Sequence, residues 1–168
     1  MKLLHKRVIS FLIDYLIMLI YISLLIGASF SIIYSFELEV QSLHPVSAQL
    51  LGFVTLTLPV FFYFYWSESS KQRGTFGKRK MGIELHAKSK NAILLRNVFK
   101  FLPWEIAHTG VHWVVYYSLQ EMETPIWVWL FLIVPQLVAA VYFVSLLRSK
   151  GQVSLYDNWA ETKVQFKA

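Results

Sequence analysis

The sequence predicts an all-α integral membrane protein: a four-helix transmembrane bundle with a small β-hairpin or sheet and a short interfacial helix on its cytoplasmic side. Three observations carry this. Apolar residues come in runs long enough to cross a bilayer, which takes roughly 20 residues per helix at ~1.5 Å rise each. Charged residues make up only 15% of the chain, against about a quarter in soluble domains. None of the 16 Lys and Arg falls in the two segments that would lie outside the cell.

The first span is read at residues 8–33, after Met1-Lys2 and Lys6-Arg7. A secretory signal is the competing reading, but the apolar run is too long for one and contains Asp14. The second span is read at 46–66, the third at 101–119 and the fourth at 125–147. The third is the least apolar, because it holds Glu105, His108 and His112, and charge decides that it crosses. With four crossings and a cytoplasmic N-terminus, the external loops carry Glu37, Glu39, Glu121 and Glu123 and no basic residue. All Lys and Arg then fall in the N-tail, loop 67–100 or tail 148–168, as the positive-inside rule requires. Three crossings would put one basic tail outside. Residues 1–168 therefore read as one multi-pass domain of the plasma membrane with both termini cytoplasmic.

Pro59 and Pro135 interrupt their spans, and Thr55, Thr57 and Gln136 are placed to help the backbone groups they free. In loop 67–100, Gly74-Thr75-Phe76-Gly77 reads as a turn and Lys78-Arg79-Lys80 as a contact to anionic headgroups. Residues 82–87 alternate as a strand, with Ala92-Ile93-Leu94 a possible return strand and Thr162-Lys163-Val164-Gln165-Phe166 a second candidate partner. Arg96 to Phe101 reads as an interfacial helix that Pro103 separates from the third span.

A chain without cysteine has no disulfide, thiolate metal site or cysteine nucleophile. The net charge of +6 calls for no nucleic acid, since headgroups and orientation account for it. Gly74-x-x-Gly77-Lys78 lacks the spacing and the following Ser/Thr of a phosphate-binding loop. No catalytic residue, cofactor or enzymatic activity is predicted. Glu105, His108 and His112 share one helix face at spacings of three and four. They are candidates for a metal site or a proton relay, or a buried polar stripe, with no fourth ligand indicated by spacing.

Charges within spans are the strongest signal, since each costs about 2.5–3.5 kcal/mol at a span centre. Asp14 lies about 9 Å into the first span, and Arg7, seven residues earlier, shares its face. The two are too far apart for a simple pair, which calls for a third group. An Arg before the first span, an Asp seven residues on and an Asp after the last span resemble the RDD family of membrane proteins, named for that set. Here it maps onto Arg7, Asp14 and Asp157. Gly74-Thr75-Phe76-Gly77-Lys78 is similar to the family's Gly-x-Thr-x-Gly-Lys segment, and Arg96-Asn97 with Lys100-Phe101-Leu102-Pro103-Trp104 resembles its following region. The tail Tyr156-Asp157-Asn158-Trp159-Ala160-Glu161-Thr162 is more polar than the family's pattern but keeps the Asp.

Some members of that family are associated with transport, including cation/proton exchange. The first expectation is therefore a small transport or exchange component, with Asp14 as its titrating group, an ion or small solute as partner and a homo-oligomer as plausible form. The alternative is a non-catalytic scaffold or assembly partner in which Arg7, Asp14 and Asp157, with Arg96 possible, form a structural clamp. A metal-dependent enzyme on Glu105, His108 and His112 is the weakest reading.

Overall fold

The computed structural model describes residues 2–37 and 43–167; Glu39 of the first predicted external loop lies outside them. The chain is mostly helical. Helix α1 covers Lys2–Ser35, α2 Pro45–Gly52 and α3 Leu58–Ser69, with a π-helical turn, Phe53–Thr57, joining α2 to α3. Then come α4 (Phe76–Lys80), β1 (Ile83–Ala87), α5 (Lys90–Leu119), α6 (Ile126–Arg148), α7 (Leu155–Trp159) and β2 (Thr162–Phe166). Three stretches are long and apolar enough to cross a membrane: Lys2–Ser35, Pro45–Ser69 and Ile126–Arg148. Helix α5 has the length but, with its polar residues, is less apolar. Large apolar side chains such as Leu24, Phe30, Leu137 and Val141 stand exposed along these helices, as lipid-facing surfaces do.

The best-packed apolar core lies beyond one end of the bundle, in a platform built from the loop and the tail. Ile83, Leu85 and Val164, each 1% exposed, pack with Ile93. Strand β1 pairs antiparallel with β2, Leu85 opposite Val164. The expected hairpin is thus replaced by a sheet closed between the loop and the C-terminal tail. Ala92-Ile93-Leu94 is no return strand. Ser89 caps α5 by accepting from the Ala92 N–H at 3.2 Å, and the buried residues Ala92, Ile93, Arg96 and Asn97 follow helical spacing.

Two further expectations are corrected. Pro103 does not separate an interfacial helix from the third span; α5 runs through it without a break. A proline leaves the carbonyl four residues earlier without its donor, and here the Tyr142 hydroxyl of α6 donates to Phe99 O at 3.1 Å. The same device serves Pro59: its freed carbonyl, Thr55 O, accepts from the Tyr21 hydroxyl of α1 at 2.5 Å. Thr57 Oγ has no partner among the described residues, and the Thr55 hydroxyl donates instead to Leu51 O. Gln136 makes no hydrogen bond among the described residues and does not serve Pro135.

Candidate functional site

Five charged side chains meet where the bundle joins the platform, all of them 6% exposed or less: Arg7, Glu68, Lys78, Arg96 and Asp157. Asp157 is the hub. Its Oδ2 accepts from Arg7 Nη2 at 2.8 Å, from Ser154 N at 2.9 Å and from Ser154 Oγ at 3.0 Å. Its Oδ1 accepts from Arg96 Nε at 2.7 Å. Local sequence puts the carboxylate there, because Ser154 and Asp157 form the capping box of α7. Burial raises the Asp157 pKa, but Arg96 and Arg7 outweigh it and hold the group well below the usual carboxylate range.

Arg96 turns its other edge to Glu68, with Nη1 2.8 Å from both carboxylate oxygens. Asn97 Nδ2 adds a bond to Oε2 at 3.0 Å, and Lys78 pairs with Oε1. Lys78 is thus buried in an ion pair rather than spread on headgroups, while Arg79 and Lys80 of the same triplet stay exposed. Burial pulls the Lys78 ammonium below the usual lysine range, and Glu68 opposes the shift. Arg7 completes its fork with two backbone acceptors, Gly151 O at 3.1 Å and Gln152 O at 3.0 Å. Gly151 has φ +87°, and a side chain there would strike the Leu4 backbone at 2.5 Å. Glycine is what lets the tail reach Arg7.

Asp14 makes a separate, neighbouring set of bonds, and Arg7 does not reach it. Its Oδ1 accepts from the Tyr63 hydroxyl and the Gly77 N–H, both at 2.9 Å, and its Oδ2 from the Thr75 hydroxyl at 2.5 Å. Thr75 is the N-cap of α4, so Asp14 holds the first turn of a platform helix from within α1. The approach is close. A Cβ on Gly77 would lie 2.1 Å from Ser10 O, so α1 and α4 touch backbone to backbone.

Glu105, His108 and His112 lie on one face of α5, as their spacing predicts, against α2. Gln49 Nε2 donates to Glu105 Oε2 at 3.2 Å. Glu105 Oε2 is 3.9 Å from His108 Nδ1, and the imidazoles of His108 and His112 lie 4.7 Å apart, tilted 47° to one another. Among the described residues no three His, Asp or Glu converge as metal ligands. Gly52 makes room for the stripe, since a Cβ there would meet His108 at 2.7 Å.

The structure thus brings Arg7, Arg96 and Asp157 into one network and sets Asp14 beside it in its own. Sequence reading missed Glu68, the second anion. Its signal was present: between Trp66 and Gly82 it is the sole acidic residue, among Lys71, Arg73, Lys78, Arg79 and Lys80, at the end of a span. Tyr63 carried no such signal, and Thr75 and Asn97 stood only in segments that resemble the family's, with partners too distant in sequence to be read.

The RDD family model matches residues 2–161, nearly the whole chain. No curated protein and no solved structure matches it. Arg7, Asp14 and Asp157, on which the resemblance rests, are each buried and hydrogen-bonded where the bundle meets the platform. The chain belongs to the RDD family, a family of membrane proteins.

Proposed function

We propose that this chain is a four-span protein of the cell membrane, with both termini and the platform cytoplasmic, acting as a non-catalytic scaffold or assembly partner. The path of the chain supports four crossings. Helix α3 ends at the platform, where Glu68 meets Arg96 near the start of α5. Near the end of α5, Trp113 lies against His44, which precedes α2, and against Trp127 at the start of α6. The chain must return through α5 for α6 to cross, whatever that helix's mean hydropathy. The distribution of Lys and Arg supports the orientation.

The scaffold reading rests on one observation: every carboxylate oxygen of Asp14 and Asp157 already accepts from a protein donor. Such groups fix geometry. A titrating group in an exchange cycle must release its partners at each turnover. In this reading Asp157 clamps α1 to the tail through Arg7, Arg96 ties both to Glu68 and α3, and Asp14 holds α4. The bundle and the platform then move as one unit, which presents the exposed basic surface of Arg79, Lys80, Lys88 and Lys163 in a fixed orientation.

The second reading, cation/proton exchange through Asp14, is favoured by a cavity of about 650 Å³ that Asp14 borders. Folding stability in detergent separates the two. Asp14→Asn keeps the shape but loses one acceptor, and the expected loss is about 1–3 kcal/mol. An Asp14→Asn protein as stable as the parent would show that these bonds do not hold the platform.

A further inference from the structure

The cavity lies between α1 on one side and α5 and α6 on the other. Its volume, about 650 Å³, falls within the range of ligand pockets, roughly 300–1,000 Å³. Its two ends differ in chemistry. Arg7, Lys78, Arg96 and Lys100 line the end nearest the platform; Phe11, Trp104, Val111 and Phe143 line the walls toward the middle of the bundle. A basic floor beneath apolar walls suits an amphiphile better than a free ion.

Among the described residues several polar side chains at this cavity lack a hydrogen-bond partner, His108 Nδ1 among them, and two matter for its contents. Arg7, Lys78 and Arg96 are paired with Glu68 and Asp157. Lys100 has no carboxylate and no hydrogen-bond acceptor among the described residues; its Nζ sits 3.3 Å from the centroid of the Phe64 ring. With Asp14, the floor sets four basic groups against three carboxylates, and Lys100 is the basic group left over. An acidic ligand supplies the counter-charge that this half-buried ammonium lacks. Gln136, in the middle of α6, is exposed and borders the cavity, and its side chain makes no hydrogen bond among the described residues. It lies six residues from Tyr142, whose hydroxyl marks the level of Phe99, so it sits about 9 Å deeper into the bundle. A bare amide at that depth in a span is costly and is relieved by an oxygen acceptor.

We propose that the cavity holds one anionic phospholipid of the platform-side leaflet, with its acidic headgroup on Lys100, its ester linkage near Gln136 and an acyl chain along the walls. The ammonium sets the preference for an acidic headgroup. The apolar walls require that it come with a chain.

Native mass spectrometry of the full-length protein tests this with dioleoyl phosphatidylglycerol and dioleoyl phosphatidylcholine, which share chains and differ in headgroup charge. One phosphatidylglycerol is expected to bind about tenfold tighter than phosphatidylcholine, the gain of one charge-assisted contact. Lys100→Gln, which breaks no bond of the charge network, is expected to remove that preference. Lys88→Gln, at an exposed ion pair with Glu161, is expected to keep it. Ala139→Trp, which fills the wall without changing charge, is expected to abolish phosphatidylglycerol binding, and it decides the matter if Lys100→Gln does not fold. Equal binding of the two lipids overturns the proposal, as does a preference that survives Lys100→Gln or Ala139→Trp. Displacement of phosphatidylglycerol by millimolar inorganic phosphate would mark a small-anion site and overturn it too.

Discussion

Exchanging the charges of Arg7 and Asp157 is the sharpest perturbation of the clamp. If the two formed a simple pair, Arg7→Asp with Asp157→Arg would restore an ion pair and with it the fold. The structure says otherwise, because Asp157 is shared. An arginine at 157 would face Arg96, whose Nε now lies 2.7 Å from the carboxylate. Two like charges about 4 Å apart repel by about 4 kcal/mol at an effective dielectric of 20. The Ser154 N–H and hydroxyl would lose their acceptor, at about 1 kcal/mol or more each. An aspartate at 7 would in turn point its oxygens at Gly151 O and Gln152 O, which now accept from Arg7. The double variant is therefore expected to be at least as unstable as either single one, each of which breaks a buried pair worth about 3–5 kcal/mol on removal of one partner. Reversible unfolding in mixed micelles, alongside the yield of monodisperse protein, measures this. Recovery of the double variant to within about 1 kcal/mol of the parent would refute the shared-hub arrangement.

Further outcomes follow from single residues. Gly77→Ala forces α1 and α4 apart, since its Cβ would lie 2.1 Å from Ser10 O; a loss of about 2 kcal/mol or more is expected in the same unfolding assay. Gly27→Ala, with nothing among the described residues within 4 Å, is expected to be neutral or stabilising by up to about 1 kcal/mol. Tyr142→Phe leaves Phe99 O without a donor and is expected to cost about 1–3 kcal/mol. Adding Pro103→Ala supplies a backbone N–H to that carbonyl and is expected to recover most of the loss, whereas equal losses with and without the proline would remove the Tyr142 account.

The membrane class, the helix positions and the basic, bonded ends of the bundle were legible because they rest on long apolar runs and on where Lys and Arg are absent. Arg7 and Asp14 stood out for a related reason, since a charge in or beside a span is costly enough to be conspicuous; Asp157, in the tail, stood out only through the family resemblance. What was not legible depends on distant partners. The strand at 82–87 reads as a strand from its alternation, but alternation cannot choose between a neighbour and Thr162–Phe166, nearly eighty residues on. Pro103 reads as a break because local rules see only the lost donor, and the hydroxyl that compensates it comes from Tyr142. Lys78 reads as surface because it sits in a basic triplet, and its burial depends on Glu68 lying across the helix junction.

The central claim is that the Arg-Asp-Asp set is a lock rather than a transport site. Gradient-driven proton and sodium flux in proteoliposomes, measured for the parent protein and for Asp14→Asn at matched incorporation, tests it most directly. The lock predicts flux at the level of protein-free liposomes for both proteins, with Asp14→Asn distinguished only by its lower stability. Robust flux in the parent that Asp14→Asn abolishes while the protein stays folded would contradict it.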